Sequence, residues 1–274
     1  KKTGEAKTPV LANMGMVVHS VMNDEVHAII LKQMDYREKD ILVTAFTEEY
    51  GKLSFVAGGA RKLTSKNAGG ITPYVQAALM FDYKPHMSMF RLKTASMVKA
   101  YPKIHTELIY SAASAVVCSM MDFMALPHNE DGLCQKQFSL LSMALELLET
   151  HEDPHTVLSL YIADVLNMFG SSPYVDGCAV CHQTSVSSLS VRDGGFVCKN
   201  HAALEDLVVL PSQDLKRFRL LTKATLERYP LIQEAAHATL QDVEYFMMFA
   251  HTYTGVSLDA FMFYKQVCSL NMIV

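Results

Sequence analysis

The 274-residue sequence predicts an α+β chain: an N-terminal five-stranded β-barrel, then an α-helical bundle interrupted by an inserted β-hairpin that carries metal-type ligands. Three observations predict it. Apolar residues recur with a period of two between Val26 and Val98, and with a period near three and a half beyond Pro102. Glycines and charged turns cut the first region into five short runs. Between Gly177 and His201, two pairs of cysteine or histidine bracket a hairpin pattern. Half the residues are hydrophobic, enough for a sizeable core, and the 19% charged content without low-complexity runs argues against disorder.

In order, Val26 to Lys32 reads as a first strand, Asp35 to Asp40 as a charged turn, and Ile41 to Thr47 as a second strand. Gly51 breaks the chain before a third run, Lys52 to Ala57. Gln76 to Tyr83 and Met89 to Val98 complete five strands, with glycines where a small closed barrel of the OB type must bend; a flat sheet under helices is the alternative. Then the period changes. Ile109, Ala112, Val116, Met120 and Phe123 form one helical stripe, and Phe138, Leu141, Leu145 and Leu148 a second. Asp153-Pro154 is the N-cap and first turn of a third helix, with Leu158, Ile162, Val165 and Phe169 inward and Gly170 with Pro173 ending it. After the hairpin, a helix is expected from Pro211-Ser212 through Tyr229, and another along Val243, Phe246, Met247 and Ala250. The expected domains are residues 25–103 and 104–274, with the inserted module at 177–201. Residues 1–24 faintly imitate a signal peptide without a small-residue cleavage site, so they read as an extension, stray or engineered, on a cytosolic protein.

The hairpin region carries the most specific chemistry. Cys178 and Cys181 form a C-x2-C knuckle, sixteen residues follow, and Cys198 and His201 form a C-x2-H knuckle. Two such pairs converge tetrahedrally on one zinc ion, and four protein ligands leave no open position, so the metal is structural. Val186, Leu189 and Val191 supply the first strand, Asp193-Gly194-Gly195 the turn and Phe196-Val197 the return. The rival readings are a redox C-x-x-C, which normally opens a helix, and a haem attachment string at Cys178–His182, which leaves Cys198 and His201 unexplained. His182 is the rival fourth ligand, sterically poorer beside Cys181. Cys118, Cys134 and Cys268 lie in apolar helical patterns and read as reduced, buried thiols.

The net charge of −4 is unevenly spread. Residues 25–103 hold 12 Lys and Arg against 7 Asp and Glu, net +5, whereas residues 104–274 hold 9 against 19, net −10. A basic barrel on an acidic remainder points to a polyanion bound at one end. The loop from Gly58 to Gly70 combines Arg61, Lys62 and Lys66 with four glycines and two hydroxyl residues, so backbone N–H groups and cations can approach phosphates. It lacks the spacing of a nucleotide P-loop. On an OB-type barrel such a loop points to single-stranded nucleic acid, with Arg37, Lys39, Lys52, Arg91 and Lys93 extending the positive surface and Tyr36, Tyr74, Phe55 and Phe90 as candidate stacking rings, the last two more naturally core. No G-x-S-x-G or paired-carboxylate motif is present, so the chain reads as a non-enzyme.

The run from Ile30-Leu31-Lys32 to Glu38-Lys39-Asp40, then Phe46 to Leu53 with its Tyr-Gly-Lys-Leu, then Gly58-Gly59-Ala60-Arg61-Lys62, then a helical region holding Cys178, Cys181 and Cys198, resembles the RecO family of bacterial recombination mediators over roughly residues 26–266. The resemblance implies an OB-fold that binds single- and double-stranded DNA and anneals complementary strands. It also implies partnership with RecR, contact with the tail of single-stranded DNA-binding protein, help in loading RecA during gap repair, and a place in the bacterial cytoplasm at the nucleoid. Two departures stand out: His201 takes the place of a common fourth cysteine, and residues 1–24 precede the usual start. A zinc-braced adaptor that holds protein partners without touching DNA is the alternative class.

Overall fold

The computed structural model describes residues 25–62, 64–84, 87, 89–125 and 132–271; the extension expected at residues 1–24 lies outside them. Five strands, β1 (Glu25–Tyr36), β2 (Asp40–Thr47), β3 (Gly51–Ala57), β4 (Gln76–Phe81) and β5 (Met89–Lys99), form a closed barrel in the order β1-β2-β3-β5-β4. Closure rests on the parallel register of Ser54, Phe55 and Val56 with Met89, Phe90 and Arg91, and on the antiparallel pairing of β1 with β4. The flat-sheet alternative is therefore overturned. β1 continues through Asp35 and Tyr36, so only Arg37–Lys39 turn. Phe55, Phe81 and Phe90 fill the interior with ring centres 4.9–6.1 Å apart, which removes Phe55 and Phe90 as stacking platforms for a ligand. Gly70 lies against the wall so closely that a Cβ would stand 2.5 Å from the Ala95 backbone, so no other residue fits that loop end.

The apolar run at the start of β1 is nearly continuous because both faces are buried. Val26, Ala28 and Ile30 point into the barrel, while Ile29 and Leu31, with Phe46 of β2, join the core of the helical part. That core is built from α1 (Pro102–Thr106), α2 (Leu108–Met124), α3 (Leu133–Thr150), α4 (Pro154–Met168), α5 (Lys199–Leu204), α6 (Ser212–Lys223), α7 (Tyr229–Ala235), α8 (Leu240–Thr254) and α9 (Asp259–Asn271). Its central member is α4, buried on all sides from Thr156 to Ala163. The Asp153 side chain accepts the Thr156 N–H at 3.0 Å, which is the N-cap the Asp-Pro pair predicts. Glu149 at the end of α3 accepts the N–H groups of Lys103 and Ile104, satisfying the first turn of α1.

Two helical expectations are corrected. Phe123 leaves the stripe of α2 and is 51% exposed. The helix from Ser212 ends at Lys223, since Ala224 and Thr225 are extended; Asp164 takes the Leu226 N–H at 2.7 Å, and Pro230 opens a separate helix, α7. Polar contacts pin the barrel to the bundle. Lys32 and Lys52 both reach Asp122 of α2, Lys99 pairs with Glu146, and the Gln76 amide donates to Tyr101 and Ser142 at 2.7 and 2.8 Å. Among the described residues no helix is long and apolar enough to cross a membrane.

Candidate metal site and nucleic-acid interface

The inserted hairpin consists of β6 (Ser188–Ser190) and β7 (Gly195–Val197), three residues each and shorter than the alternating pattern of Val186 to Val191 implies. Gly195 is obligatory: a Cβ there would sit 2.1 Å from the Tyr174 carbonyl oxygen, to which the chain bridges in parallel. The first knuckle is folded by the Cys178 N–H donating to Gln183 O and the His182 N–H to Cys178 O, both at 2.8 Å. Cys198 is the residue before the first turn of α5, which places His201 one turn along and over it.

These elements bring Cys178, Cys181, Cys198 and His201 together, with ligand atoms all within 4.8 Å of one another. Cys181 and Cys198 sulfurs are 3.8 Å apart, and His201 Nδ1 lies 3.2 Å from Cys198 and 3.5 Å from Cys178. Tetrahedral zinc with Zn–S near 2.3 Å requires sulfur–sulfur edges of about 3.8 Å, so the donor set and its spacing fit that ion. The electrostatics of the four groups differ: at Cys181 the Gln183 N–H favours the thiolate, but burial and the neighbouring Cys178 and Cys198 sulfurs outweigh it and raise that thiol. Burial opposes ionisation of Cys178, but N–H groups of Cys181, Cys198 and Val180 outweigh it and bring the thiol down to about 6. Cys198 is lowered chiefly by the His201 N–H, while the Cys198 and Cys178 sulfurs raise the His201 imidazole. His182, with φ of 59°, turns its ring edge-on toward Tyr174 and is not part of the cluster.

The basic residues divide. Arg37 occupies the tip of the β1–β2 turn with φ of 57°, its guanidinium 5.0 Å from the Tyr36 ring centre. The Arg61 N–H donates to the Lys39 carbonyl at 3.2 Å, and its guanidinium stands 3.4 Å from Asp35, so the two loops are joined. Arg37, Lys62 and Arg91 line one open cleft with Asp40, Gly58, Gly59 and Met89. Lys66 is exposed further along the same loop. Lys93 pairs with Asp82, and Lys52 stands apart, turned onto α2 through Asp122. Asp40 escapes the sequence reading: its Oδ1 accepts the Gly59 N–H at 2.8 Å and ties the glycine pair to the neighbouring turn. Its only sequence signal is its place at the end of a charged turn.

With this geometry in view, similarity to known proteins covers both halves. The profile described as Recombination protein O N terminal matches residues 22–101, and that described as Recombination protein O C terminal matches residues 105–247. The chain belongs to the recombination protein O family. Relatives named DNA repair protein RecO include one from an Exiguobacterium species, 24% identical over 253 residues and spanning 92% of this chain and 99% of its own. Another, from Enterococcus faecalis, is 25% identical over 245 residues, covering 89% and 92% of the two chains. One from Bacillus cytotoxicus is 28% identical over 182 residues, covering 66% and 71%. RecO membership places the closed barrel and the Cys/His-bearing helical part in a family of DNA repair proteins.

Proposed function

We propose that this chain is a DNA-binding recombination mediator that binds and anneals single-stranded DNA and assists RecA loading in recombinational gap repair. The observation that carries the reading is the gathering of Arg37, Lys62 and Arg91 on one side of the barrel with Arg61, Lys39 and Lys66 on the adjoining loops, in a region of net positive charge. Among the described residues, Arg37, Lys39, Lys62, Lys66 and Arg91 form no ion pair; each is available to a phosphate. Cations here release counterions from the DNA backbone, and two strands brought under one positive surface repel each other less, so pairing can nucleate. No bond is made or broken by the protein. RecR, the tail of single-stranded DNA-binding protein and, indirectly, RecA are its partners, at the nucleoid in the cytoplasm. One zinc ion held by Cys178, Cys181, Cys198 and His201 braces the helical part and takes no part in strand contact.

The test is binding of single-stranded and duplex DNA across a salt series. Each cation on a phosphate contributes about 0.9 to the log–log salt slope for duplex and about 0.7 for single strands. Replacing Arg61 and Lys62 together with alanine is expected to flatten that slope and weaken unrelated sequences equally, with zinc content and thermal stability unchanged. A double variant that binds and anneals like the parent at every salt concentration moves the DNA surface off this loop.

A further inference from the structure

We infer that the cleft between the β1–β2 turn and the Gly58 loop is a seat for one unpaired nucleotide, its phosphate on Arg37, Lys62 and Arg91 and its base against the methionine wall. The inference rests on the proposed DNA-binding reading and adds which form of the strand the cleft accepts.

The cleft encloses about 670 Å³, within the range of sites that hold a small organic group. Its charge is one-sided: Arg37, Lys62 and Arg91 against Asp40. Asp40 is occupied in structure, since its Oδ1 accepts the Gly59 N–H. Arg37 is held in a left-handed backbone conformation, unusual for a residue with a Cβ and found where surrounding structure fixes it, and the Tyr36 ring lies under its guanidinium. The cation is therefore presented rather than free to collapse. The floor is Gly58, exposed between two charges; a Cβ there would stand 3.9 Å from Arg91 Nη2 and from Asp40 Oδ1. Nothing in the backbone demands glycine at that position, because its φ is not positive and a Cβ meets only ordinary contacts. What glycine provides there is an empty floor.

The walls are not those of a phosphate groove alone. Met89 and Met87 are exposed beside the cations, at 39% and 47%, and Val56 completes the apolar side. A duplex keeps its base faces stacked and offers proteins its phosphates, sugars and groove edges, so an apolar wall shaped for a base face finds no partner on it. An unpaired base has both faces free, and polarizable thioethers accept such a face. The combination of three cations, an open floor and an apolar wall selects a nucleotide that is not paired.

The experiment compares the full chain with Gly58→Val, Met89→Ser and Arg91→Ala, using a fluorescein-labelled oligothymidylate and a blunt duplex of equal length at one moderate salt concentration. Gly58→Val fills the floor without changing charge, so it is expected to weaken the oligothymidylate at least tenfold and leave the duplex within twofold of the parent, estimates of about that size following from exclusion of a base contact. Met89→Ser is expected to weaken the oligothymidylate about fivefold, in proportion to the apolar contact removed, and again spare the duplex. Arg91→Ala should weaken both. Unchanged thermal midpoints exclude a folding effect. If Gly58→Val and Met89→Ser bind oligothymidylate as the parent does, or lose both ligands equally, the seat is overturned while DNA binding stands. If the parent itself binds neither ligand, the DNA-binding reading fails and the seat falls with it.

Discussion

His155 shows how one buried side chain sets a pH response. Burial favours its neutral form and holds its pKa below the ordinary value, against the opposing charges of Asp153 and Asp242. The Tyr264 hydroxyl and His155 Nδ1 share a hydrogen bond at 2.7 Å, and the ionisation of Tyr264 is pushed far up by burial. In the unfolded chain the imidazole takes a proton near pH 6.5, so the unfolded state binds more protons below that value and stability rises with pH there. The contribution is complete above about pH 6.5 and is lost as pH falls towards the folded pKa. The thermal midpoint is expected to fall between about pH 7.5 and pH 5.5, and to fall less in His155→Gln, whose amide does not titrate and offers both a donor and an acceptor to the Tyr264 hydroxyl. An equal fall in both proteins assigns the response to other groups. At the metal site, Cys198→Ala removes one of the three thiolates while leaving the start of α5, which Cys198 does not cap through its side chain. Metal analysis of the parent is expected to give about one zinc per chain and of the variant well below that. Absence of zinc from freshly purified parent protein would remove the structural-metal reading.

At the scale of elements, the hairpin and α8 make separate predictions. Gly195→Ala places a methyl group 2.1 Å from the Tyr174 carbonyl oxygen, so β7 must shift and Cys198, directly after it, must follow. Faster loss of zinc to a chelator than in the parent is the expected result. The start of α8 is closed by Thr239 and Asp242 in reciprocal bonds, and Asp242 also receives Arg217 from α6 at 2.7 Å. Thr239→Ala is expected to cost about 1 kcal/mol in urea denaturation. The strands, the Asp153 cap and the metal knuckles were legible in the sequence because each is a local pattern: alternation, a capping pair, a fixed spacing. Phe123 and the break after Lys223 were not, because periodicity says that a residue is apolar without saying what covers it. Asp164, 62 residues earlier in the chain, takes the Leu226 N–H at that break and has no local signature. The charge of the barrel was equally legible, but not its partition. Lys52 and Arg91 look alike in sequence, yet one is turned onto Asp122 and the other lines the cleft.

For the whole molecule, the decisive arrangement is that β1 and β2 are walls of two cores at once. Ile29, Leu31 and Phe46 are buried in the helical cluster while their neighbours Ile30, Val43 and Ala45 fill the barrel. Phe46→Ala therefore opens a cavity at the junction, and a loss of about 3–5 kcal/mol is expected in chemical denaturation. Because the junction is shared, the far-ultraviolet and near-ultraviolet dichroism signals should melt together in a single transition in the parent; two resolved transitions would show that the halves unfold independently. Asp122 has a different role, since it gathers Lys32 and Lys52 into exposed pairs that orient more than they stabilise. Asp122→Ala should change the thermal midpoint little. The outward apolar face of β1 also limits which other barrels could replace this one in a chimaera. A donor barrel evolved to stand in water would bring polar side chains to the positions of Ile29, Leu31 and Phe46, and the graft would expose a hydrophobic scar on the helices unless those three positions were carried across with it.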